Sequence, residues 1–306
     1  MVTLLQPGGY DGCFREEICM PSTTPYLFTG AANQPAVRLC LADGDSCDIY
    51  LHGAHVTSWR SAGAEQLFVS RQADYSAGKA IRGGVPVIFP QFGAFGPGAK
   101  HGFARNLTWQ LDTSASSASC AEFTLAATAH TLDAWPFEFA ARYRVELTPG
   151  CLLMRLSITN QAAQPMEFTS ALHTYFASPD YRQGVLSGLA DLAYWDNGTP
   201  WPERQTQQDD KLQIEDALDR VYFQVPGSLV WQDQARSLLI EAEGFNDAVV
   251  WNPGRAGAQA LSDMADDEYT HMLCIEAANV AVPTRLAVGA CWQGSQKIRL
   301  LPRSGT

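Results

Sequence analysis

An all-β, mostly antiparallel fold is what the sequence predicts, and three observations carry it. Short runs rich in Val, Ile, Leu, Phe and Tyr alternate apolar with polar residues, at the period of two that a half-buried strand requires. Gly, Pro, Asn, Asp and Ser punctuate these runs throughout the chain. Long helical periods are scarce, which leaves an antiparallel sandwich or barrel.

Strand-like runs fall first at 37–41, 47–51 and 122–128, and the Ser/Ala-rich patch 113–121 reads as a hairpin loop. The clearest pair follows. In 139–147 (FAARYRVEL), Tyr143, Val145 and Leu147 alternate with Arg142, Arg144 and Glu146. In 151–159 (CLLMRLSIT), Met154, Leu156 and Ile158 share one face. Thr148-Pro149-Gly150 between them predicts a three-residue hairpin loop. Further runs occupy 166–172, 221–225, 236–242, 271–276 and 283–290, and short helices are expected within 209–220 and 258–268. No linker, composition break or fixed repeat divides the chain, so residues 31–306 read as a single β domain behind an extended N-terminal segment, 1–30.

Composition narrows the function. With 306 residues, 46% hydrophobic and 17% charged, the chain can fill a large core. Its net charge of −11 argues against a nucleic-acid partner, which needs a basic face. No apolar run reaches the length of a membrane-spanning helix, so no membrane partner is expected. The N-terminus lacks the n-region and h-region of a secretion signal, and Asp11, Glu16 and Glu17 count against a transit peptide. The cysteines at 13, 19, 40, 47, 120, 151, 274 and 291 form no C-x-x-C pair. Buried reduced thiols in a cytoplasmic, reducing compartment are the expectation, with Cys40, Cys151 and Cys274 in apolar runs. His52 and His55 in LHGAHV have His-x-x-His spacing, but positions i and i+3 of a strand face opposite ways, so no metal site is expected.

Four segments can carry chemistry. The stretch 81–109 (IRGGVPVIFPQFGAFGPGAKHGFARNLTW) sets Arg82, Lys100, His101 and Arg105 among six glycines, in an otherwise acidic protein. Such a loop suits an anion approached closely by backbone, and equally a solvated surface loop. In 169–176 (TSALHTYF), His173 sits in an apolar strand. Burial or a neighbouring carboxylate there would poise its proton near neutral pH, although a core histidine bonded to a carbonyl would look the same. In 271–280 (HMLCIEAANV), Glu276 is either a buried base or a strand-end carboxylate reaching solvent. Asp219 in ALDRVY lies at an expected helix-to-strand junction, where it could bind sugar hydroxyls, cap a turn or pair with Arg220. Trp59, Trp109, Trp195, Trp201, Trp251 and Trp292 are core-formers by default and sugar-stacking faces by exception.

Taken together, IRGGVPVIFPQFG, KHGFARNLTW, ALHTYF, LDRVY, VVWNP and MADDEYTHMLCIEAANV, in that order behind LHGAHVTSW, resemble the glucose-6-phosphate 1-epimerases of the aldose 1-epimerase superfamily, over about residues 35–300. The resemblance implies a galactose-mutarotase-like β-supersandwich with short helices in its loops and the site in a cleft on one sheet. It implies that His173 and Glu276 are catalytic. It also implies that Arg82 and Arg105 bind the sugar phosphate, that Asp219 binds substrate and that His101 touches the sugar. The chain departs from the pattern at Lys100, where many relatives have Gln, and at Gly254, where relatives often carry a second Trp. A cation at 100 suits a phosphate; the Gly254 departure removes one aromatic wall.

The implied reaction is exchange of the α and β anomers of a hexose 6-phosphate, glucose 6-phosphate by preference, through the open-chain aldehyde. Glu276 would act as base at O1–H and His173 as acid at O5, with no metal or organic cofactor and a small-molecule sugar phosphate as partner of a monomer. A mutarotase of free aldoses would need the acid–base pair but not the cations. A non-catalytic sugar-phosphate binding protein would bind without exchange. A polysaccharide-active sandwich enzyme would want paired carboxylates.

Overall fold

The strand Met272–Leu286 shows how the alternation builds the molecule. Its first nine residues, Met272 to Val280, are all buried, so it is covered on both faces. Ile275 and Ala277 enter the main core, whereas Ala278 and Val280 join a smaller apolar cluster on the other side with Ile88, Trp195, Val221 and Val249. Glu276 shares the parity of that second face.

The computed structural model describes residues 23–201 and 203–302. Three sheets make up the fold. The first orders Tyr26–Thr29, Pro35–Cys40, Ser46–Tyr50, His55–Ser61 and Ala64–Glu65 side by side. The nine-stranded second sheet has Ser237–Glu243, Cys291–Leu300, Cys151–Asn160, Phe139–Thr148 and Cys120–Ala126 at its centre. The eight-stranded third sheet runs Gln205–Thr206, Ala193–Asp196, Leu218–Tyr222, Asp247–Asn252, Met272–Leu286, Met166–Leu172 and Val87–Ile88, with Tyr175–Ala177 also paired to Met272–Leu286. Central pairings in both large sheets are antiparallel. Leu152, Met154, Leu156 and Ile158 of the second sheet share one core with Val250, Ile275 and Ala277 of the third. The expected mostly antiparallel sandwich is the observed architecture.

Several elements depart from the expectation. Thr148 pairs with Cys151, so the hairpin loop is the two residues Pro149-Gly150 and not three. The span 209–220 holds no helix. Leu212 and Ile214 are buried while Lys211 and Gln213 are exposed, a period of two, and the strands Lys211–Gln213 and Leu218–Tyr222 form there. The helix expected at 258–268 lies earlier, at Gly254–Ala260, directly after Pro253, and a turn leads from it to the 3₁₀ segment Glu268–His271. The runs at 271–276 and 283–290 are one strand that ends at Leu286, followed by a turn. A short helix at Ala129–Ala134, capped reciprocally by Thr128 and Thr131, was not foreseen. Cys47, Cys120, Cys151 and Cys274 are buried free thiols and Cys291 an exposed one, but Cys40 is disulfide-bonded, which corrects the expectation for that residue. Of the expected N-terminal segment, residues 1–22 lie outside the described ones, and Tyr26–Thr29 is the edge strand of the first sheet. Among the described residues, no helix is long and apolar enough to cross a membrane.

Leu156 is fully buried mid-strand between Tyr143 and Gly294. Leu156→Ala is expected to cost about 2–5 kcal/mol, read as a lower midpoint at unchanged slope in urea unfolding.

Candidate active site

Register brings the third sheet's polar residues together. Asp219 is opposite Trp251, Val221 opposite Val249, and Val249 opposite Glu276. Directly opposed residues, and residues two apart along a strand, share a face. Trp195, Asp219, Val221, Val249, Trp251 and Glu276 all line one cavity of about 500 Å³. Its other wall comes from the glycine-rich loop, through Phe92, Phe95, Lys100, His101 and Arg105, and from Arg82. His173 completes it, just after the strand Met166–Leu172. All seven site residues expected from the sequence thus meet at one place.

His173 Nε2 lies 3.3 Å from Glu276 Oε1, and their side chains are 9% and 1% exposed. So little water reaches the pair that both charges are penalised. Burial, then the like charge of Asp219, pushes the Glu276 carboxyl well above its ordinary range, against Arg105. Burial, then His101, Arg105 and Arg82, pushes His173 well below its ordinary value. The two shifts act together. Glu276 becomes a stronger base and His173 a stronger acid, and a proton leaving one while another reaches the other turns an ion pair into a neutral pair.

The neighbours of this pair were less visible in the sequence. Tyr175 stacks on His173, ring centroids 4.8 Å apart and planes 10° from parallel. Trp251 meets both rings nearly edge-on. Tyr175 follows His173 by two residues, so strand alternation alone places it on the same side. Its hydroxyl accepts from Arg82 Nη1 at 3.0 Å, and Asp263 takes Arg82 Nε and Nη2, each at 3.1 Å. Asp263, in the turn after the helix Gly254–Ala260, carried no sequence signal: it lies in the stretch read as helix, 181 residues from its partner.

His101 is held on the loop by a reciprocal pair of bonds. Its backbone N donates to Gly93 O at 2.9 Å, and Gly93 N donates to His101 Nδ1 at 3.2 Å. An accepting Nδ1 carries no proton, so the neutral ring bears it on Nε2. Burial and the cations Arg105, Lys100 and Arg82 hold its pKa down at about 3, which makes His101 a hydrogen-bond donor and not a proton donor near neutral pH. The bend needs Gly102: at φ 67, a Cβ would stand 2.1 Å from Phe89 O.

The cations differ in their freedom. Burial disfavours Arg82's charge, but Tyr175 and Asp263 outweigh it and keep the guanidinium protonated. Arg105 donates to Lys100 O at 3.2 Å, its Nε meets no acceptor, and neither Arg105 nor Lys100 has a carboxylate at ion-pair distance among the described residues. Asp219 is the second residue of the strand Leu218–Tyr222, with no helix before it, and Arg220 pairs across to Asp196, so Asp219 is left to accept from Asn197 Nδ2 at 2.7 Å. Burial raises its pKa.

Other candidates are spent elsewhere. His52 and His55 each give a ring nitrogen to a carbonyl, of Lys79 and Gly83. Trp59 and Trp109 are core; Trp195 and Trp251 line the cavity. The Gly254 departure has a steric reason: a Cβ there would stand 2.7 Å from Ala217 Cβ. A wider groove of about 850 Å³, beside Leu67, Ala177 and Leu301, holds no acid–base pair; its Arg236 is engaged by Gln66 and by the carbonyls of Glu65 and Ala177.

Comparison with known proteins gives this geometry a lineage. The family profile described as Aldose 1-epimerase matches residues 36–299. The chain belongs to the aldose 1-epimerase family. A relative from Cenchrus ciliaris is 37% identical over 298 residues, covering 93% of this chain and 90% of its own. One from Escherichia coli K12 is 34% identical over 265 residues, covering 83% and 86%. Both bear the provisional name glucose-6-phosphate 1-epimerase. The crystal structure of a provisionally named mutarotase from Salmonella typhimurium superimposes with a TM-score of 0.77 at 27% identity, covering 91% of this chain and 97% of its own. A galactose mutarotase-like protein from Lactobacillus casei shares the fold at a TM-score of 0.71 and 17% identity, covering 87% of this chain and 100% of its own. This family member thus has the galactose-mutarotase-like sandwich that the resemblance implied.

The burial of Glu276 has a consequence for stability. Its folded pKa is raised, so its contribution is fully present below the ordinary 4.5 and is lost as pH rises through the folded value. A glutamine has no such loss, and His173 is unchanged in both proteins. Glu276→Gln is expected to gain in melting temperature over the unaltered protein as pH rises from about 5 to about 8. Calorimetry across that range checks it; a gap that narrows with pH contradicts the raised pKa.

Proposed function

We propose that this chain exchanges the α and β anomers of a hexose 6-phosphate, with glucose 6-phosphate as the preferred substrate. The observation that carries the reading is the enclosed His173–Glu276 contact, opening onto a cavity that Arg105 and Lys100 line without carboxylate partners.

The hemiacetal presents O1–H and the ring oxygen O5 on the same carbon, matching a base and an acid whose reacting atoms are already neighbours. Glu276 takes the O1 proton while His173, as imidazolium, delivers one to O5. The C1–O5 bond breaks and C1=O1 forms. Rotation about C1–C2 turns the other face of the aldehyde to the hydroxyl. On closure O5–H returns its proton to His173 and O1 regains one from Glu276, so the pair ends each turnover as it began. The reacting form is the carboxylate–imidazolium pair, which burial disfavours, and ring opening discharges it to the neutral pair that both pKa shifts favour. His101, neutral with its proton on Nε2, donates to a sugar oxygen; Asp219 accepts from a sugar hydroxyl; Trp251 offers an apolar face to the ring's C–H groups.

The 6-phosphate falls to the cations. Arg105 keeps terminal N–H groups beyond the one given to Lys100 O, Lys100 has no carboxylate at ion-pair distance among the described residues, and charge-assisted bonds to phosphate are short and directional. Arg82 adds the N–H groups that Asp263 and Tyr175 leave over.

Anomer exchange followed by NMR, with glucose 6-phosphate, glucose and galactose in parallel, tests the reading. Acceleration of the phosphorylated sugar well above the free ones is expected, and equal acceleration of all three contradicts the phosphate role. Glu276→Gln and His173→Asn should each lower the exchange rate by about 10²–10⁴-fold with the fold retained. Near-native rates in both would remove the acid–base assignment. Arg105→Ala should raise KM for glucose 6-phosphate far more than for glucose.

A further inference from the structure

Arg82 lines the cavity, yet its charge is already answered. Asp263 closes a two-point fork on Nε and Nη2, both at 3.1 Å, with side-chain exposures of 21% for the arginine and 25% for the aspartate. Tyr175 takes a hydrogen of Nη1. A guanidinium has five N–H groups; three are engaged, leaving one on each terminal nitrogen. Asp263 is itself well anchored. The turn that carries it is closed by Leu261 N to Ala258 O at 3.0 Å and Met264 N to Leu261 O at 3.3 Å; Leu261 lines the cavity and Met264 is buried in the main core.

A charge ledger of the cavity makes the arrangement notable. Arg82, Lys100 and Arg105 are cations. Asp219 and Glu276 line the same space, and Asp263 is a third carboxylate, held against Arg82. An anionic substrate arrives as an anionic product leaves, because anomers carry the same phosphate. Attraction that grips both equally lowers KM and delays release without helping the chemistry.

We infer that Asp263 is a specificity-determining residue that tempers the phosphate affinity of this site: it holds Arg82 in register for directional hydrogen bonds while cancelling its charge, leaving net attraction to Arg105 and Lys100. This rests on the reading of the cavity as a sugar-phosphate site. The masking itself, however, is a property of Arg82 toward any phosphate-like anion, and inorganic phosphate reads it without turnover.

The experiment uses the full chain and Asp263→Asn, whose amide oxygen can still accept from the Arg82 fork but carries no charge. Asp263→Ala is the second variant, removing charge and acceptor together. Titration with inorganic phosphate, followed calorimetrically at low and high salt, gives Kd; anomer exchange gives KM and kcat for glucose 6-phosphate and for glucose. In Asp263→Asn, Kd for phosphate and KM for glucose 6-phosphate should each fall roughly threefold to tenfold at low salt, less at high salt, with a smaller change for glucose. Asp263→Ala should tighten phosphate in the same direction. Unchanged or weaker phosphate binding in Asp263→Asn overturns the inference, as does native-like binding in Asp263→Asn with loosened binding in Asp263→Ala, the pattern of a purely positioning role. An unaltered protein without preference for the phosphorylated sugar would count against the function proposed above; if Asp263→Asn still tightened phosphate there, the masking would stand alone.

Discussion

A carboxyl group with 1% of its side chain exposed, placed mid-strand in a sheet whose opposite face is the main core, is the constraint around which this cleft is arranged. Nothing in sheet formation needs Glu276; an alanine or valine would pack there at less cost. Its retention requires company, and the structure supplies it as a histidine 3.3 Å away, a tyrosine stacked on that histidine, and cations that line the cavity without touching the carboxylate at ion-pair distance. A direct arginine–glutamate bridge would have secured the charge and removed its basicity. Distance from the cations is what leaves its pKa raised.

Backbone geometry does the assembling. The period of two along Leu218–Tyr222, Asp247–Asn252 and Met272–Leu286 sends one set of side chains to the core and the other to the cleft, and antiparallel register aligns the second set in rows. The glycine-rich loop then closes over this face, pinned where His101 and Gly93 exchange two hydrogen bonds. The strands therefore carry Glu276 and its carboxylate neighbour Asp219, while the loop carries Lys100, His101 and Arg105.

How much of this was legible in the sequence follows from the range of each signal. Local alternation located most strands, because burial of one face is written into each run; it failed at 209–220, where acidic residues that look helical cover a short strand set by Leu212 and Ile214. The seven residues that line the cavity as expected were legible as motifs, Tyr175 was within reach through its spacing from His173, and Asp263 was not, because its meaning comes from a partner far along the chain. Hairpin length and the disulfide at Cys40 were misjudged for the same reason: both depend on what lies opposite, and composition does not record that.

The contact between Gly254 and Ala217 reaches beyond packing. Residue 217 immediately precedes the strand that bears Asp219, and residue 254 opens the helix whose exit turn bears Asp263, so one close approach ties a sugar-binding candidate to the partner of Arg82. A cleft grafted from this protein onto a relative would have to carry both stretches together, since a larger side chain at 254 forces the 217 segment to move and takes Asp219 with it.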